Sequence, residues 1–371
     1  MARGRQGGPR VRIVCDCEKI RRNAAAVVAL CAPHGIAVVG VTKCVCGEPG
    51  VGRAMLAGGC TMLAESRLDN IRRLRAGGLE APVMLLRLPA LSEVDEVVAL
   101  AEYSLLSEVE TARALAAAAA RRGLVHRALL MVETGDRREG VMPADAVAAA
   151  RALDALPGLE LAGLATTLNC LCGVLPTPRH QQGFVDTVET VEAALGRRLE
   201  TVSGGHTGNL HLIKAGQVPE RFDQLRVGEA ILTGTDFSTW ADLGVPHRDA
   251  FKVHAEVIEV KDKPSAPDGT VGRDAFMRVR EWPDRGVRRR AILALGEIDL
   301  DTTSLKPSRA GVEVVGSSSD HLVVDVTDAR PPVRLGEELE FDTLYPAVST
   351  GWSSTVTTKV VLPMRGAGAS G

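Results

Sequence analysis

A lysine and an arginine stand out because each lies within a run of apolar residues. Lys43 ends the run 36–43, where partial removal from water would let its amine act as a nucleophile or form an imine. Arg226 lies inside the run 224–232, and a guanidinium there needs a partner or a ligand. Between them lies a glycine-rich stretch with hydroxyl groups, which is typical of a phosphate-binding loop. It consists of Ser203, Gly204, Gly205, His206, Thr207, Gly208 and Asn209.

These three features match the needs of one cofactor, pyridoxal phosphate, which takes a lysine as imine partner, a loop for its phosphate and a group facing its pyridine nitrogen. A further turn, 134–140, carries Arg137 and Arg138, whose guanidinium groups could hold a substrate carboxylate through paired hydrogen bonds. Each feature also has an ordinary alternative: a lysine that reaches water at a rim, a solvated turn, or a common glycine-rich turn. The inference depends on their combination.

The composition excludes several classes of protein. The 371 residues are 45% hydrophobic and 24% charged, as in ordinary globular enzymes, and the formal net charge is only −2. With 3% aromatic residues and no basic field, we expect no binding to nucleic acid or membranes. The absence of a long apolar run or a secretion signal predicts a cytoplasmic protein. The eight cysteines are expected to be reduced, and no metal site is predicted, since C-x-C neighbours on a strand point to opposite faces.

Such residues need a scaffold that brings strand ends together. Eight Val/Ile/Leu-rich runs alternate with Ala/Leu/Arg segments at helical spacing, which predicts parallel strands covered by helices. Because eight such units close a (β/α)8 TIM barrel, we expect the functional groups at the carboxyl ends of its strands. An open doubly wound sheet is the alternative, but no Gly-x-Gly-x-x-Gly turn follows the first run. The runs are 36–43, 60–65, 82–88, 103–108, 127–134, 160–167, 199–205 and 224–232.

Beyond Phe251 the pattern changes to alternating strands without helical segments, which predicts a C-terminal all-β domain. A short strand that precedes the barrel could pair with this domain. The expected boundaries are a disordered tail at 1–10, a barrel domain at 11–248 that includes the leading strand 11–17, a β domain at 249–364 and a disordered tail at 365–371.

The chain resembles the alanine/ornithine racemases, which are fold type III enzymes that use pyridoxal 5'-phosphate, in six motifs of the same order and spacing. The motifs are TKCVCG, TGDRREG, TTLNCLCGVLPT, SGGHTGNL, LRVGEAILTG and GSSSDHLVVDVTD. The similarity extends from Val11 to about Leu362. It implies an enzyme that interconverts L- and D-amino acids by removing the Cα proton on one face and returning it on the other. It also implies a head-to-tail homodimer in which the partner completes each site.

The resemblance assigns roles to individual residues. Lys43 matches the lysine that binds the cofactor covalently and acts as one catalytic base. Arg138 matches an arginine near the cofactor hydroxyl and the substrate carboxylate. Arg226 matches the arginine facing the pyridine nitrogen; because it stays protonated, it donates to an unprotonated nitrogen and weakens the ring as an electron sink. The phosphate-binding positions are matched by Thr207 and the backbone amides of Gly228 and Glu229, beside Ser203, Gly205 and His206.

Two departures from the family pattern concern the mechanism and the substrate. Alanine racemases take their second base, a tyrosine, from the partner's β domain, but Gly296-Glu297-Ile298-Asp299 stands at that position, and Tyr103 and Tyr345 lie elsewhere. Ornithine-type members usually have Asn-Ser where this chain has His206-Thr207. The candidates for the second base are Glu297, Asp299, Asp320 and His321, and the barrel residue Cys170 is a further candidate for the same role. Ser319 and Asp320 are expected to bind the substrate.

Alternatives to racemisation stay open at this point. A structural salt bridge is an equal explanation for each second-base candidate. A lyase or decarboxylase on the same scaffold is favoured if no acid exists on the opposite face. A non-catalytic protein that binds pyridoxal phosphate is the third hypothesis, although single-domain carriers of that type lack a β domain. The amino acid that would be the substrate is not predicted.

Overall fold

The structure, a computed structural model, describes residues 11–365, and these form two compact units. One unit consists of residues 17–248, and the other combines the strand before residue 17 with residues 249–363. The tails 1–10 and 365–371, which we expect to be disordered, lie outside the described residues apart from Arg365. No helix among residues 11–365 is long and apolar enough to cross a membrane.

Residues 17–248 contain a closed barrel of eight parallel strands, as predicted. Each apolar run matches one strand, with two strands beginning one residue before the run, and the ring closes where β2 (Ala37–Val41) pairs with β9 (Gln224–Val227). The strands are buried on both faces because helices cover the outside and side chains fill the inside. They are β2 (Ala37–Val41), β3 (Met62–Glu65), β4 (Val83–Leu85), β5 (Tyr103–Leu106), β6 (His126–Met131), β7 (Leu159–Ala165), β8 (Thr201–Ser203) and β9 (Gln224–Val227).

The helices of this unit have alanine-rich buried faces. Helix α5 (Val109–Arg121), for example, buries Ala112, Ala116 and Ala119, and these small side chains let the helix lie close to the strands. The helices are α1 (Cys17–Cys31), α2 (Pro49–Ala57), α3 (Leu68–Ala76), α4 (Val94–Leu100), α5 (Val109–Arg121), α6 (Ala146–Asp154), α7 (Pro178–Leu195), α8 (Leu210–Lys214) and α9 (Glu229–Thr233).

The second unit is built on a mainly antiparallel sheet. Its leading strand β1 (Arg12–Asp16) pairs antiparallel with β10 (Phe251–Pro264) and parallel with β16 (Thr358–Leu362). Grouping that strand with the barrel domain was therefore wrong, because its backbone hydrogen bonds go to two strands of the β unit. The other strands are β10 (Phe251–Pro264), β11 (Val287–Leu293), β12 (Leu305–Pro307), β13 (Glu313–Ser317), β14 (Leu322–Asp325), β15 (Glu338–Thr343) and β16 (Thr358–Leu362).

The second unit also contains a helix, α10 (Tyr345–Ser353), so the expectation of a domain without helices was wrong at this segment. A proline in the first turn is compatible with a helix start, because its missing N–H has no helical partner there. Ala347 and Val348 are buried, and the Trp352 ring packs edge-on against Phe251 with centroids 5.7 Å apart. Packing against the sheet thus stabilises a short helix that the sequence pattern did not predict.

Candidate active site

Lys43 lies immediately beyond the carboxyl end of β2, at the first residue of a 3₁₀ turn. The preceding residue, Thr42, is fully buried, and its hydroxyl donates to Glu65 Oε1 at 2.9 Å. The Lys43 side chain is exposed and has no hydrogen bond or ion pair to another residue within 11–365. Because the backbone of Lys43 is held in place while its side-chain amine has no partner among these residues, the amine can bond covalently to a ligand at the mouth of the barrel.

Glu65 is a residue that the sequence analysis did not single out. It ends β3 and is completely buried, and burial raises the pKa of its carboxyl group, although hydrogen bonds oppose the shift. Its oxygens accept from Thr42, from the backbone N–H of Ser66 and from Asn70 Nδ2 at 3.0 Å. Through its hydrogen bond with Thr42, Glu65 therefore stabilises the backbone next to Lys43. The sequence feature that could have indicated Glu65 is its position as an acidic residue at the end of the apolar run 60–65.

Arg226 lies in β9 and is only 5% exposed. Its guanidinium donates to the Thr166 carbonyl oxygen at 2.6 Å and to the Ser203 hydroxyl, which itself donates to Gln224 Oε1. All of these partners are uncharged, and Arg226 has no ion pair among the described residues. Burial lowers its pKa to about 10, so the group is still a cation at neutral pH. A buried cation with neutral partners is suited to face an acceptor on a ligand.

The loop after β8 is shaped by two glycines and one asparagine. A Cβ on Gly204 would lie 2.1 Å from the Phe222 ring, and Gly205 has a φ of +129°. Neither position tolerates a side chain. Asn209 braces the loop, because its Nδ2 donates to the Gly204 carbonyl at 3.1 Å and its Oδ1 accepts from the His206 N–H at 3.2 Å.

Thr207 connects this loop to the one after β9. Its buried hydroxyl oxygen accepts from the Ala230 N–H at 3.4 Å. At Gly228, a Cβ would come within 3.1 Å of Val41, so the backbone approaches the first barrel strand closely. Burial raises the pKa of Glu229 to about 7. The two loops bring a hydroxyl and several backbone amides to one place, as a phosphate requires.

The ring of His206 turns toward the loop after β7. Its Nδ1 accepts from the Gly208 N–H at 3.1 Å, so the imidazole proton is on Nε2. That Nε2 lies 2.5 Å from the Leu168 carbonyl oxygen and 3.6 Å from the Sγ of Cys170. Burial alone would raise the pKa of the Cys170 thiol, but His206 and the Arg138 guanidinium together lower it to about 6.

Asp136 fixes the loop that carries Cys170. This carboxylate is 1% exposed and accepts three backbone N–H groups, from Cys170 at 3.1 Å, Leu171 at 2.8 Å and Cys172 at 3.1 Å. The turn 134–140 stands out in the sequence for its arginines, and Asp136 was not predicted to have a role. Its partners lie more than thirty positions away along the chain, and no local pattern indicates them.

Arg138, expected near a substrate carboxylate, already contacts a carboxylate of its own chain. Its guanidinium donates to both oxygens of Glu139, with Nη2 2.5 Å from Oε1. Its backbone N–H donates to Glu133 Oε2 at 3.0 Å, which orients the turn. The mouth therefore carries adjacent positive and negative groups that a zwitterionic ligand could separate.

The predicted second-base candidates lie on two adjoining turns of the β unit. Glu297 and Asp299 follow β11, whereas Asp320 and His321 lie in the turn between β13 and β14. The backbone N–H of Glu297 donates to the Ser318 carbonyl at 3.0 Å, which joins the two turns. The structure thus brings these candidates together, along with the predicted substrate-binding residue Ser319, on one part of the β unit.

The side chains of these candidates differ in their partners. Glu297 Oε1 accepts from Ser317 at 2.6 Å, Arg278 at 2.8 Å and Thr302 at 3.1 Å. Burial would raise the pKa of Glu297, but these donors lower it, so the carboxylate is a weak base. Asp320 and His321 are exposed.

The barrel residues fit pyridoxal phosphate. Among residues 11–365, the Lys43 amine has no partner and the buried Arg226 cation has no carboxylate partner, and the loops at Gly205 and Thr207 form a cradle that a larger residue would fill. These features and the barrel followed by a β unit define a pyridoxal phosphate enzyme of fold type III. The model of the alanine racemase N-terminal domain family matches residues 15–236. The chain belongs to this family and is a pyridoxal phosphate-dependent amino-acid racemase.

Relatives support the same class along the whole chain. A lysine racemase from Thermotoga maritima is 37% identical over 352 residues, covering 95% of this chain and 98% of the relative. An ornithine racemase from Acetoanaerobium sticklandii is 34% identical over 352 residues, covering 95% and 99%. Among solved structures, the alanine racemase from Streptomyces lavendulae superposes with a TM-score of 0.74 at 20% identity, covering 96% of this chain and 98% of that one. This last similarity shows the fold alone.

Proposed function

We propose that the protein interconverts the enantiomers of an α-amino acid with a cationic side chain, such as lysine or ornithine. The observation that carries the reaction type is the free amine of Lys43 at the same barrel mouth as the anion loop and Arg226. The choice of a cationic side chain is supported by the lysine and ornithine racemases, which match this chain over 95% of its length.

In this proposal each barrel residue has a separate task. Lys43 holds the cofactor covalently and, when its amine is free, moves a proton to or from the substrate Cα. Thr207 and the backbone at Gly205, Gly228 and Glu229 would hold the phosphate, with Ser203 and His206 supporting the loop, and Arg226 would face the pyridine nitrogen. Pyridoxal phosphate, when bound, supplies the electron sink that makes the Cα proton removable.

The pair Arg138 and Glu139 is suited to a substrate that carries both a carboxylate and a cationic side chain. In the structure each group is neutralised by the other. A lysine or ornithine molecule offers Arg138 a carboxylate and offers Glu139 an ammonium group, so both charges keep a partner when the pair separates. Alanine offers only the first.

Solvent-deuterium incorporation at Cα, with chiral analysis of the products across a panel of amino acids, tests this function. We expect inversion and deuterium uptake to be fastest with lysine or ornithine. Faster turnover of alanine would overturn the proposal that the substrate has a cationic side chain. Release of the carboxylate as carbon dioxide would indicate a decarboxylase. Glu139→Gln should raise KM for the cationic substrate while leaving KM for alanine nearly unchanged, because only the side-chain contact is removed.

We further propose a head-to-tail homodimer that functions in the cytoplasm, in which Asp320 and Ser319 of one copy reach the substrate at the barrel of the other. The dimer is supported by family membership and by Ile298, an apolar side chain that is 60% exposed beside these turns. A reducing compartment is supported by the thiols of Cys31, Cys60, Cys170 and Cys172, which form no disulfide among the described residues. Mixing a Lys43→Ala chain with an Asp320→Asn chain should restore activity, because one site of the mixed dimer keeps both groups. No gain on mixing would argue against shared sites.

A further inference from the structure

Racemisation through removal and return of a proton on opposite faces needs two proton-carrying groups, and Lys43 accounts for one. Among the candidates in the β unit, Glu297 is held by three donors that lower its pKa, which makes it a poor base. The barrel mouth contains a different group to which the proposed function gives no task, the thiol of Cys170.

We propose that Cys170 carries the second proton, and that His206 and Asp136 position and activate it. This inference rests on the proposed racemase function and adds a residue to its chemistry.

The first support is that hydrogen bonds to two other side chains, Asp136 and His206, hold the loop that carries the thiol. Asp136 accepts three consecutive backbone N–H groups of the loop, at residues 170, 171 and 172, so the loop cannot swing without breaking bonds to a buried carboxylate. His206 fixes the loop a second time through the Leu168 carbonyl. The Thr167 hydroxyl lies 3.8 Å from the Cys170 sulfur on the third side.

The second support is the charge around the sulfur. His206 Nε2, which also contacts the Leu168 carbonyl oxygen, lies 3.6 Å from the Cys170 sulfur. The guanidinium groups of Arg138 and Arg226 both act on the thiol electrostatically, whereas Glu229 opposes them. The balance lowers the pKa of Cys170 to about 6, so that both thiolate and thiol are accessible near neutral pH. A group that exchanges its proton near the working pH is an effective acid and base.

The third support is the position around the barrel. Cys170 follows β7 and Lys43 follows β2, and these strands are three places apart in the ring, counted through β8 and β9. The two groups therefore approach the mouth from different sides. Arg226 lies in β9, between them.

The proton inventory balances with these two groups alone. In one direction the Lys43 amine takes the Cα proton and becomes an ammonium group, while the Cys170 thiol gives its proton to Cα from the other side and becomes a thiolate. In the opposite direction the thiolate takes the proton and the ammonium group of Lys43 gives one back. No oxidant or further reactant is needed, and solvent exchange can reset either group.

The pH dependence of alkylation tests the activated thiol without relying on turnover. We expect Cys170 in the wild-type protein to react with iodoacetamide with a half-maximal rate near pH 6, followed by peptide mass spectrometry. Cys172, exposed in the same loop, is the internal reference thiol. His206→Asn keeps a side-chain acceptor for the Gly208 N–H but removes the donor to sulfur, so the Cys170 midpoint should rise by one pH unit or more. Identical midpoints for Cys170 and Cys172 in the wild-type protein would overturn the proposal.

Proton exchange in the holoenzyme tests the catalytic role. In Cys170→Ala and Cys170→Ser, inversion should fall by about 10²- to 10⁴-fold. From one enantiomer, deuterium should still enter at Cα with retention, because Lys43 acts alone, and from the other enantiomer it should not. Cys172→Ala is the matched control and should racemise like the wild-type protein.

The outcomes separate the two levels of the argument. If the wild-type protein neither exchanges nor inverts any amino acid, the proposed function itself fails. If the wild-type protein racemises and Cys170→Ala does so equally fast in both directions, only the role of Cys170 fails. Loss of one-sided exchange in Asp320→Asn or His321→Ala, with Cys170→Ala unaffected, would place the second base in the β unit instead.

Discussion

Arg127 and Arg226 lie near opposite ends of the same barrel and have different partners. Arg127, near the amino end of β6, donates to Glu160 at 3.0 Å and also to Glu200 and the Tyr103 hydroxyl. Burial alone would lower the pKa of Arg127, but the two glutamates raise it. Arg226, near the carboxyl end of β9, has only neutral oxygens, and burial lowers its pKa to about 10.

The difference shows how one fold separates stability from function. At the amino end the charge is compensated within the chain, so the network has nothing left to offer a ligand. At the carboxyl end a buried cation, a free lysine and a glycine-shaped loop are left without anionic partners among residues 11–365, which is unfavourable for the protein alone and favourable once an anionic ligand binds.

The largest effect is expected at Lys43. Lys43→Ala should lower racemisation by about 10⁴-fold, because one residue provides both the covalent link to the cofactor and one proton carrier. Borohydride reduction of the wild-type holoenzyme followed by peptide mapping should place the pyridoxyl group on Lys43. The control is Lys214→Ala, which alters an exposed lysine of α8 and should keep both the yellow colour of bound cofactor and the activity. A pyridoxyl group on any other lysine would refute the assignment.

A pair of matched variants tests the comparison of the two arginines directly. Arg226→Met should lower racemisation by about 10²-fold or more and leave the free energy of unfolding of the cofactor-free protein nearly unchanged, since it removes a buried, uncompensated charge. Arg127→Met should leave activity intact but lower the free energy of unfolding by about 1 kcal/mol, since it leaves partly exposed glutamates without their cation. Urea denaturation and initial rates measure both quantities. The comparison fails if the two variants behave alike.

A further prediction concerns the pH dependence of stability at the mouth, which should leave the racemase chemistry itself untouched. Burial raises the pKa of Glu229 from 4.5 to about 7 in the folded protein. The folded state therefore binds a proton more readily than the unfolded chain, and the contribution of Glu229 to stability is lost as the pH rises from about 4.5 to about 7. In Glu229→Gln, the decline in urea midpoint between about pH 5 and pH 8 should be smaller than in the wild-type cofactor-free protein. An unchanged decline would show that other groups cause it.

The cysteines show where local information ends. The sequence predicts that the eight cysteines are reduced but not where they lie: six are at least partly buried, whereas Cys170 and Cys172 are exposed. The environment of Cys170 depends on Asp136 and His206, which are 34 and 36 positions away in the chain. Long-range contacts of this kind have no periodic signature, so a single sequence does not predict them.

By itself, the sequence determined the eight parallel strands and the places of Lys43, Arg226 and the loop at Thr207, because apolar periodicity and strand-end position are local properties that the barrel converts directly into geometry. Only the tertiary structure decided that β1 joins the β unit, that Glu65 supports the turn of Lys43, and that Arg226 has no carboxylate partner in the part of the chain that the structure describes. The physical reason is the same in each case: hydrogen bonds and charges are paired by distance in space, and residues far apart in the chain become neighbours only when the sheet closes.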